Sequence, residues 1–424
     1  MHVLFLHDAF PAQFGRLGLE LKRRHGWKCS FLVQSLSSCP TPTTEMLQEL
    51  DLHQLPLTTE HRSKEGIPWP QIFGMYLEQC QSVFNALRAR PDLQPDLVVA
   101  HGGRGAPTLF LKDLLDCPII NYCEYYFATS HRDISYRIDL PPAEPAPFFP
   151  RCINAPTLAS LVDCDAGYSA THWQKQSFPA RFHSKIEVYF DGIDTELYRP
   201  GAAPRRIGAV SLPQGTKVVT FVARGLESIR GFDLFMQVAD RICRQRADVF
   251  FVVVGGEEIH YGWDKLHTGS PSFKQWVLSQ GDHDLSRFLF PGRILPEHLA
   301  DILRLSDLHI YLSAPFVVSW SLFNAMATGV PVLASDVPPV REVIEGGVNG
   351  LLETLFDIDR LTATALNVLA DPAGFAPLGI AARRAIEERY SIECCIPPIK
   401  GFFERVSLRR SSISSPREPH PFMG

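Results

Sequence analysis

The sequence predicts an α/β fold: two doubly wound domains, each a parallel sheet with helices on both faces. Three observations carry this. The chain has 424 residues, and at roughly 150 residues per domain that length gives two or three domains. Short β-branched and aromatic runs alternate with longer helical patterns, the order that builds parallel sheets. Several runs are apolar almost throughout, such as Val218-Val219-Thr220-Phe221-Val222 and Phe250-Phe251-Val252-Val253-Val254. Such strands are buried on both faces.

The elements follow in order. Met1–Asp8 lacks a basic leader and meets an acid early, so it reads as a first buried strand rather than a signal peptide. Further strands are expected at Lys28–Val33, Asp96–Ala100, Pro118–Tyr122, Ala166–Ser169 and Ile186–Tyr189. The second half offers Lys217–Ala223, Asp248–Gly255, Arg287–Phe290, Leu308–Leu312 and Pro331–Ser335. Phe14–Arg24 reads as a helix: Leu17 and Leu21 are four apart, and Lys22-Arg23-Arg24 precedes Gly26, which suits a helix C-terminus. Phe232–Ala247 and Leu322–Thr328 look similar.

Proline and glycine near Asp191–Lys217 mark a linker. The expected division is a Rossmann-like domain at 1–195, a second at 205–385, and a helix at 386–408 packing back on the first domain. A disordered tail is expected at 409–424, and the proline-rich Pro141–Phe149 predicts a surface loop.

Lys plus Arg number 41 and Asp plus Glu 46, a net charge of −5. That excludes a general nucleic-acid coater, which needs surplus cations to neutralise phosphates. No apolar run reaches the ~18 residues of a membrane span. Ten scattered cysteines without C-x-x-C spacing point to thiols in a reducing cytoplasm.

Two open α/β domains leave a cleft between the carboxyl ends of their strands, where ligands of such sheets bind. Arg224 follows one strand, and Arg230-Gly231 opens the next helix. Guanidinium groups there, beside helix amides, suit a phosphate. Arg293 and Ile294 sit in a turn whose backbone can meet a base edge. Ser319, Trp320, Ser321 and Leu322 begin a short helix whose amides suit a diphosphate, and Asn324 can bond sugar hydroxyls. His101 and Glu124 follow strands of the first half. Trp320, Trp173, Tyr122, Tyr125 and Tyr126 are mostly core candidates, with one or two free to stack on sugar or base.

Two weaker patterns compete. Gly103-x-Gly105-x-x-Thr108, with Glu124 beyond it, imitates a dinucleotide fingerprint, but Thr stands where the third Gly belongs. Asp282-His283-Asp284 imitates a metal–nucleotide motif but lies in a polar turn. No other grouping has metal-ligand spacing.

Ala325-Met326-Ala327-Thr328-Gly329-Val330-Pro331-Val332 resembles the donor-binding region of the retaining glycosyltransferases of family 4. Arg224/Arg230-Gly231 resembles their cationic pair for the donor diphosphate. Phe190-Asp191-Gly192-Ile193-Asp194…Tyr198-Arg199-Pro200 is similar to their Asn-Gly-Val-Asp…Phe-x-Pro interdomain passage, and Val340–Ile344…Asn349–Leu352 to their closing region. The family pattern is Glu, seven residues, Glu before Ala-Met-Ala. Here the two positions hold Phe316 and Asn324, and Glu124 aligns with the family's first-domain His. A branch of the family carries Phe-Val-x-Ser-Trp-Ser and Glu-x-Tyr-Tyr, so Phe316 and Glu124 read as branch features and Asn324 as a departure.

The resemblance implies the B-type fold of two Rossmann-like domains and retaining transfer from a UDP- or GDP-linked sugar to a glycan, lipid-linked or small-molecule acceptor in cell-surface polysaccharide synthesis. Arg224, Arg230, Glu124 and His101 are the catalytic candidates. Arg293, Ile294, Phe316, Ser319, Trp320, Ser321, Leu322 and Asn324 are the donor-binding ones. No metal cofactor and no nucleic-acid partner is expected; the location is cytoplasmic, with peripheral contact at the inner face of the membrane. The alternative is a nucleotide-sugar-binding protein of the same fold with impaired turnover.

Overall fold

The computed structural model describes residues 1–36, 41–55, 69–103, 108–129, 132–140, 148–261 and 264–411. The first sheet has seven strands: β1 (His2–Ala9), β2 (Lys28–Ser35), β3 (Asp51–Gln54), β4 (Leu97–His101), β5 (Ile119–Tyr122), β6 (Ala166–Ser169) and β7 (Ile186–Val188). Their order is β3-β2-β1-β4-β5-β6-β7, and every pairing is parallel. A two-strand hairpin follows, β8 (Arg206–Ile207) with β9 (Val210–Ser211). The second sheet contains β10 (Lys217–Gly225), β11 (Val249–Gly256), β12 (Phe288–Gly292), β13 (Leu308–Tyr311), β14 (Val332–Ser335) and β15 (Leu351–Glu353). Its order is β12-β11-β10-β13-β14-β15, again all parallel.

Both sheets therefore reverse direction of winding beside their first strand, between β1 and β4 and between β10 and β13. Crevices open at such switch points. The apolar runs explain the sheets. Val218 through Ala223 are all buried, because helices cover both faces.

The helix Phe14–His25 buries Phe14, Leu17 and Leu21 and stops at Gly26, whose φ of 65° is left-handed. Four basic residues crowd its last turn, where the helix dipole favours cations. Phe232–Gln245 buries Phe232, Phe235, Met236, Ala239 and Ile242, a spacing that keeps one stripe on the sheet.

Three boundaries need correction. The helix expected within 386–408 runs Ile392–Ser411, so the expected tail begins as helix, and 412–424 lie outside the described residues. The end of the expected loop Pro141–Phe149 is helical from Phe148, and 141–147 lie outside the described residues. The last helix lies against the first domain: Arg24 pairs with Glu393, Arg405 with Glu187, and Ser407 donates to the Asp96 carbonyl. Among the described residues, no single helix is long and apolar enough to cross a membrane.

Candidate active site

A cavity of about 240 Å³ lies between the two domains. Nine of the twelve candidates line it: Glu124, Arg224, Arg230, Arg293, Ile294, Ser319, Trp320, Ser321 and Asn324.

The turn after β10 is built by exclusion. Ser228–Arg230 forms one 3-10 turn, and Gly231 follows with φ 70°. A Cβ there would stand 2.1 Å from the Leu312 carbonyl oxygen, so only glycine lets the turn press against the end of β13. That contact fixes Arg230, which is 9% exposed. Its Nη1 donates to the Val317 carbonyl at 2.9 Å and to Ser313 Oγ at 3.3 Å. Its guanidinium carbon lies 5.4 Å from the Phe316 ring centre and 5.8 Å from that of Tyr261.

Glu227 anchors the turn from below. It is 0% exposed, and Oε2 accepts the backbone N–H groups of His260 and Tyr261 at 2.9 and 2.8 Å. Burial pushes its carboxyl up to about 8. Arg293 donates to Glu258 at 2.8 Å and lies 3.1 Å from His260 Nε2. Burial, then the charges of Arg224, Arg293 and Arg230, push the His260 imidazole down to about 3. Three guanidinium groups thus act on one corner of the cavity.

The helix Trp320–Ala327 begins at the same corner, capped by Ser319. Three amides expected for a diphosphate already have acceptors. Ser319 N donates to Tyr311 Oη, Ser321 N to Ser319 Oγ at 3.3 Å, and Leu322 N to the Ser319 carbonyl at 3.1 Å. Leu322 is a correction: its amide is held by the Ser319 carbonyl, and its side chain is 0% exposed within the core. Phe316 is a second. It is 2% exposed, packed with Tyr125, Phe127 and Tyr261, and lies beneath Arg230 rather than on the cavity wall. An apolar ring cannot stay in a polar cleft when an aromatic layer is available to cover it.

On the opposite wall, Glu124 meets His101 Nε2 at 3.2 Å, Gln13 Nε2 at 3.3 Å, and Gln174, which donates to its carbonyl at 2.8 Å. His101 is buried behind Glu124. Burial works against its protonation, but the bond and charge of Glu124 outweigh this, so its titration moves upward. Asp191 lines the same wall and accepts the Trp320 indole N–H at 3.2 Å. Burial, with Glu124 adding, pushes Asp191 up to about 7 despite the Trp320 bond. Asp191 is a site residue that sequence reasoning named only as part of a linker. An acid where the resembled passage has Asn was the available signal.

The competing patterns resolve as structure. Gly103 has φ 92°, and a Cβ there would stand 2.3 Å from Thr157 Oγ1; residues 104–107 of that pattern lie outside the described residues. His283 is bound by Asp240 at 2.8 Å and faces the Val277 carbonyl. Trp173 touches Arg132, whose guanidinium carbon is 5.5 Å from its ring centre.

Two parallel-sheet domains around a cationic cavity define the B-type glycosyltransferase fold. The chain belongs to the family 4, group 1 glycosyltransferases: residues 57–198 match the profile described as "Glycosyl transferase family 4 group" and residues 216–371 the one described as "Glycosyl transferases group 1". Among curated proteins it is similar to D-inositol 3-phosphate glycosyltransferase of Gordonia bronchialis, 29% identical over 214 residues, which cover 48% of this chain and 44% of that one. It is also similar to spore coat protein SA of Bacillus subtilis, 26% identical over 231 residues, or 51% and 58% of the two chains. The chain thus spans about half the length of the curated relatives it matches.

Among solved structures, sucrose-phosphate synthase from Thermosynechococcus elongatus superposes with a TM-score of 0.68 at 17% identity, covering 96% of this chain and 99% of that one. Anabaena HepE in complex with UDP and glucose superposes with a TM-score of 0.63 at 15% identity, covering 96% and 100%. At these identities the likeness is one of fold.

Proposed function

We propose that this chain is a retaining glycosyltransferase. It moves a sugar from a UDP- or GDP-linked donor to a glycan, lipid-linked or small-molecule acceptor in cell-surface polysaccharide synthesis. One observation carries the reading. Arg224, the immobilised Arg230 and Arg293 meet the Ser319–Ser321 helix start in one cavity, opposite Glu124 and Asp191. The Anabaena neighbour's complexes with UDP and UDP-glucose support a nucleotide-sugar donor.

The difficult step is departure of the diphosphate. The bond from the anomeric carbon to phosphate oxygen breaks, and its electron pair leaves with the diphosphate. The sugar ring becomes cationic, the acceptor oxygen bonds the same face, and the acceptor proton passes to the departing phosphate. Negative charge grows on the leaving group, so cations fixed at that place stabilise the transition state more than the ground state. Arg230 and Arg224 fill this role, and Asn324 bonds the nucleotide sugar's hydroxyls. With arginines at the leaving group the reaction runs without a divalent cation, and excess EDTA leaves the rate unchanged. The enzyme works in the cytoplasm, with peripheral contact at the inner membrane face.

The test is transfer from a panel of UDP- and GDP-sugars, with product configuration read by NMR. Retained configuration supports the reading, and inversion overturns it. A second reading rests on Asn324, where the resembled pattern has Glu: a binding protein of this fold without turnover. Calorimetric binding of UDP or GDP with no transfer or hydrolysis across the panel selects that second reading.

A further inference from the structure

Asp191 stands where the chain leaves the first domain and faces into the cavity between the domains. Its Oδ2 is occupied by the Trp320 indole N–H. No hydrogen bond to its Oδ1 is seen among the described residues. The charged groups acting on it are Glu124 and His101 on the same wall, and Asp191 in turn acts on Tyr122 of β5, Tyr168 of β6 and Cys395 of the last helix. His101 is the only cation in that set, and it is engaged with Glu124 at 3.2 Å. Arg224 and Arg230 line the same cavity on the other domain. Asp191 therefore has a buried seat with no counter-ion of its own. Such a carboxyl keeps its proton to higher pH than a solvated one; for this one, burial pushes the titration up to about 7, so the neutral acid prevails below that pH.

A neutral carboxylic acid donates a hydrogen bond that a carboxylate cannot. Glu124, with His101 and Gln13 donating to it, is the complementary acceptor. Donor and acceptor on one wall match neighbouring hydroxyls of a sugar or cyclitol, each of which both gives and takes a hydrogen bond.

We propose that Asp191 binds the acceptor as a neutral acid, donating from Oδ1 to one hydroxyl oxygen of an uncharged polyol while the Glu124 carboxylate accepts from the neighbouring hydroxyl. This rests on the glycosyl-transfer reading above. The proton stays on Asp191 throughout, and no bond to carbon is made or broken there. As pH rises through about 7 the donor is lost and a second carboxylate faces the polyol. Acceptor binding then weakens about tenfold per pH unit, the slope of a single essential proton.

The experiment measures binding of methyl α-glucopyranoside, methyl α-mannopyranoside and myo-inositol from pH 6 to 9, with UDP present, by tryptophan fluorescence. The wild type is expected to weaken about tenfold per unit at alkaline pH. Asp191→Asn keeps an acceptor for Trp320 and supplies an N–H that never ionises, so its affinity is expected to stay flat. A pH-independent wild type, an unaltered slope in D191N, or no saturable polyol binding at any pH overturns the proposal.

Should D191N not fold, the wild-type fluorescence titration compared with His101→Gln decides, since His101 also titrates beside Asp191. A midpoint near 7 that persists in H101Q supports the neutral acid, and no such midpoint overturns it. UDP and GDP calorimetry on the wild type separates the two claims. Polyol binding with the expected slope but no nucleotide binding overturns the donor reading. Nucleotide binding without the slope overturns the role of Asp191.

Discussion

Arg230 enters the cleft already ordered. Two oxygens hold its Nη1 and two aromatic rings flank it, so little side-chain entropy remains to be lost when charge develops. Arg224 carries the same charge on an exposed side chain. Arg230→Ala is expected to lower kcat by about 10²–10³-fold, as loss of one pre-aimed donor does. Arg224→Ala is expected to lower kcat by a smaller factor, its side chain being less fixed, and to raise donor KM as well. Steady-state kinetics on both variants checks the division, and an unchanged rate in R230A removes its role at the leaving group.

Glu227 supplies a pH dependence of stability. Its folded-state titration is raised above the ordinary 4.5 to about 8. Its contribution is therefore fully present below about 4.5 and lost as pH rises through about 8. Asp191 acts in the same sense between 3.8 and about 7. Melting temperature is expected to fall from pH 5 to 9 by several degrees, and Glu227→Gln to flatten the upper part of that fall. Thermal denaturation across this range checks it; an equal slope in E227Q sinks it.

The arginines were legible because a cation after a buried strand has few structural reasons to be there. Asp191 was not, since its company with Glu124 and Trp320 is made by folding distant segments together. Phe316 misled because its position in a motif says nothing about which way an aromatic ring turns.

At the scale of elements, the strands with apolar interiors were readable nearly to the residue, as β6 shows at Ala166–Ser169. The strands missing from the sequence reading are short: Asp51–Gln54 and Leu351–Glu353 at sheet edges, and the two-residue strands of the hairpin. Such pairings are set by neighbours rather than by their own pattern. The turn from Ser228 to Gly231 was read as a phosphate site, but its real constraint is the close approach of β13. Gly231→Ala is expected to cost roughly 2 to 5 kcal/mol, adding a left-handed backbone penalty to a clash with the Leu312 carbonyl. Denaturant unfolding measures this. A loss below about 1 kcal/mol would mean that the turn can relax.

Across the whole molecule, the division into two domains was legible from linker chemistry, whereas the contacts that join them were not. Arg137 reaches from the first domain to donate to the Ser228 carbonyl and to Asp233, and also pairs with Asp139. Burial opposes its charge, but those two carboxylates outweigh it and raise its titration. Glu342 of the second domain accepts the N–H groups of His172 and Trp173. Arg137→Ala leaves Asp233 and the Ser228 carbonyl without this partner, directly behind Arg230. It is expected to cost about 3–5 kcal/mol, to enlarge the radius of gyration in small-angle scattering, and to raise donor KM. An unchanged scattering profile and KM together would deny the contact any part in holding the domains.

The chain passes between domains twice, and the two passages touch. Ile193 N donates to the Tyr390 carbonyl at 2.7 Å, and Ile392 N to the Ile193 carbonyl at 3.0 Å. Side-by-side crossings act as the spine of a book. Rotation about that spine hardly moves what lies next to it, so Asp191, two residues from Ile193, keeps its station while the covers swing. Glu342 lies beside that spine, its carbonyl accepting from Tyr390 Oη at 3.5 Å, whereas the bonds of Arg137 to the Ser228 carbonyl and Asp233 are ones that any wide opening must first undo.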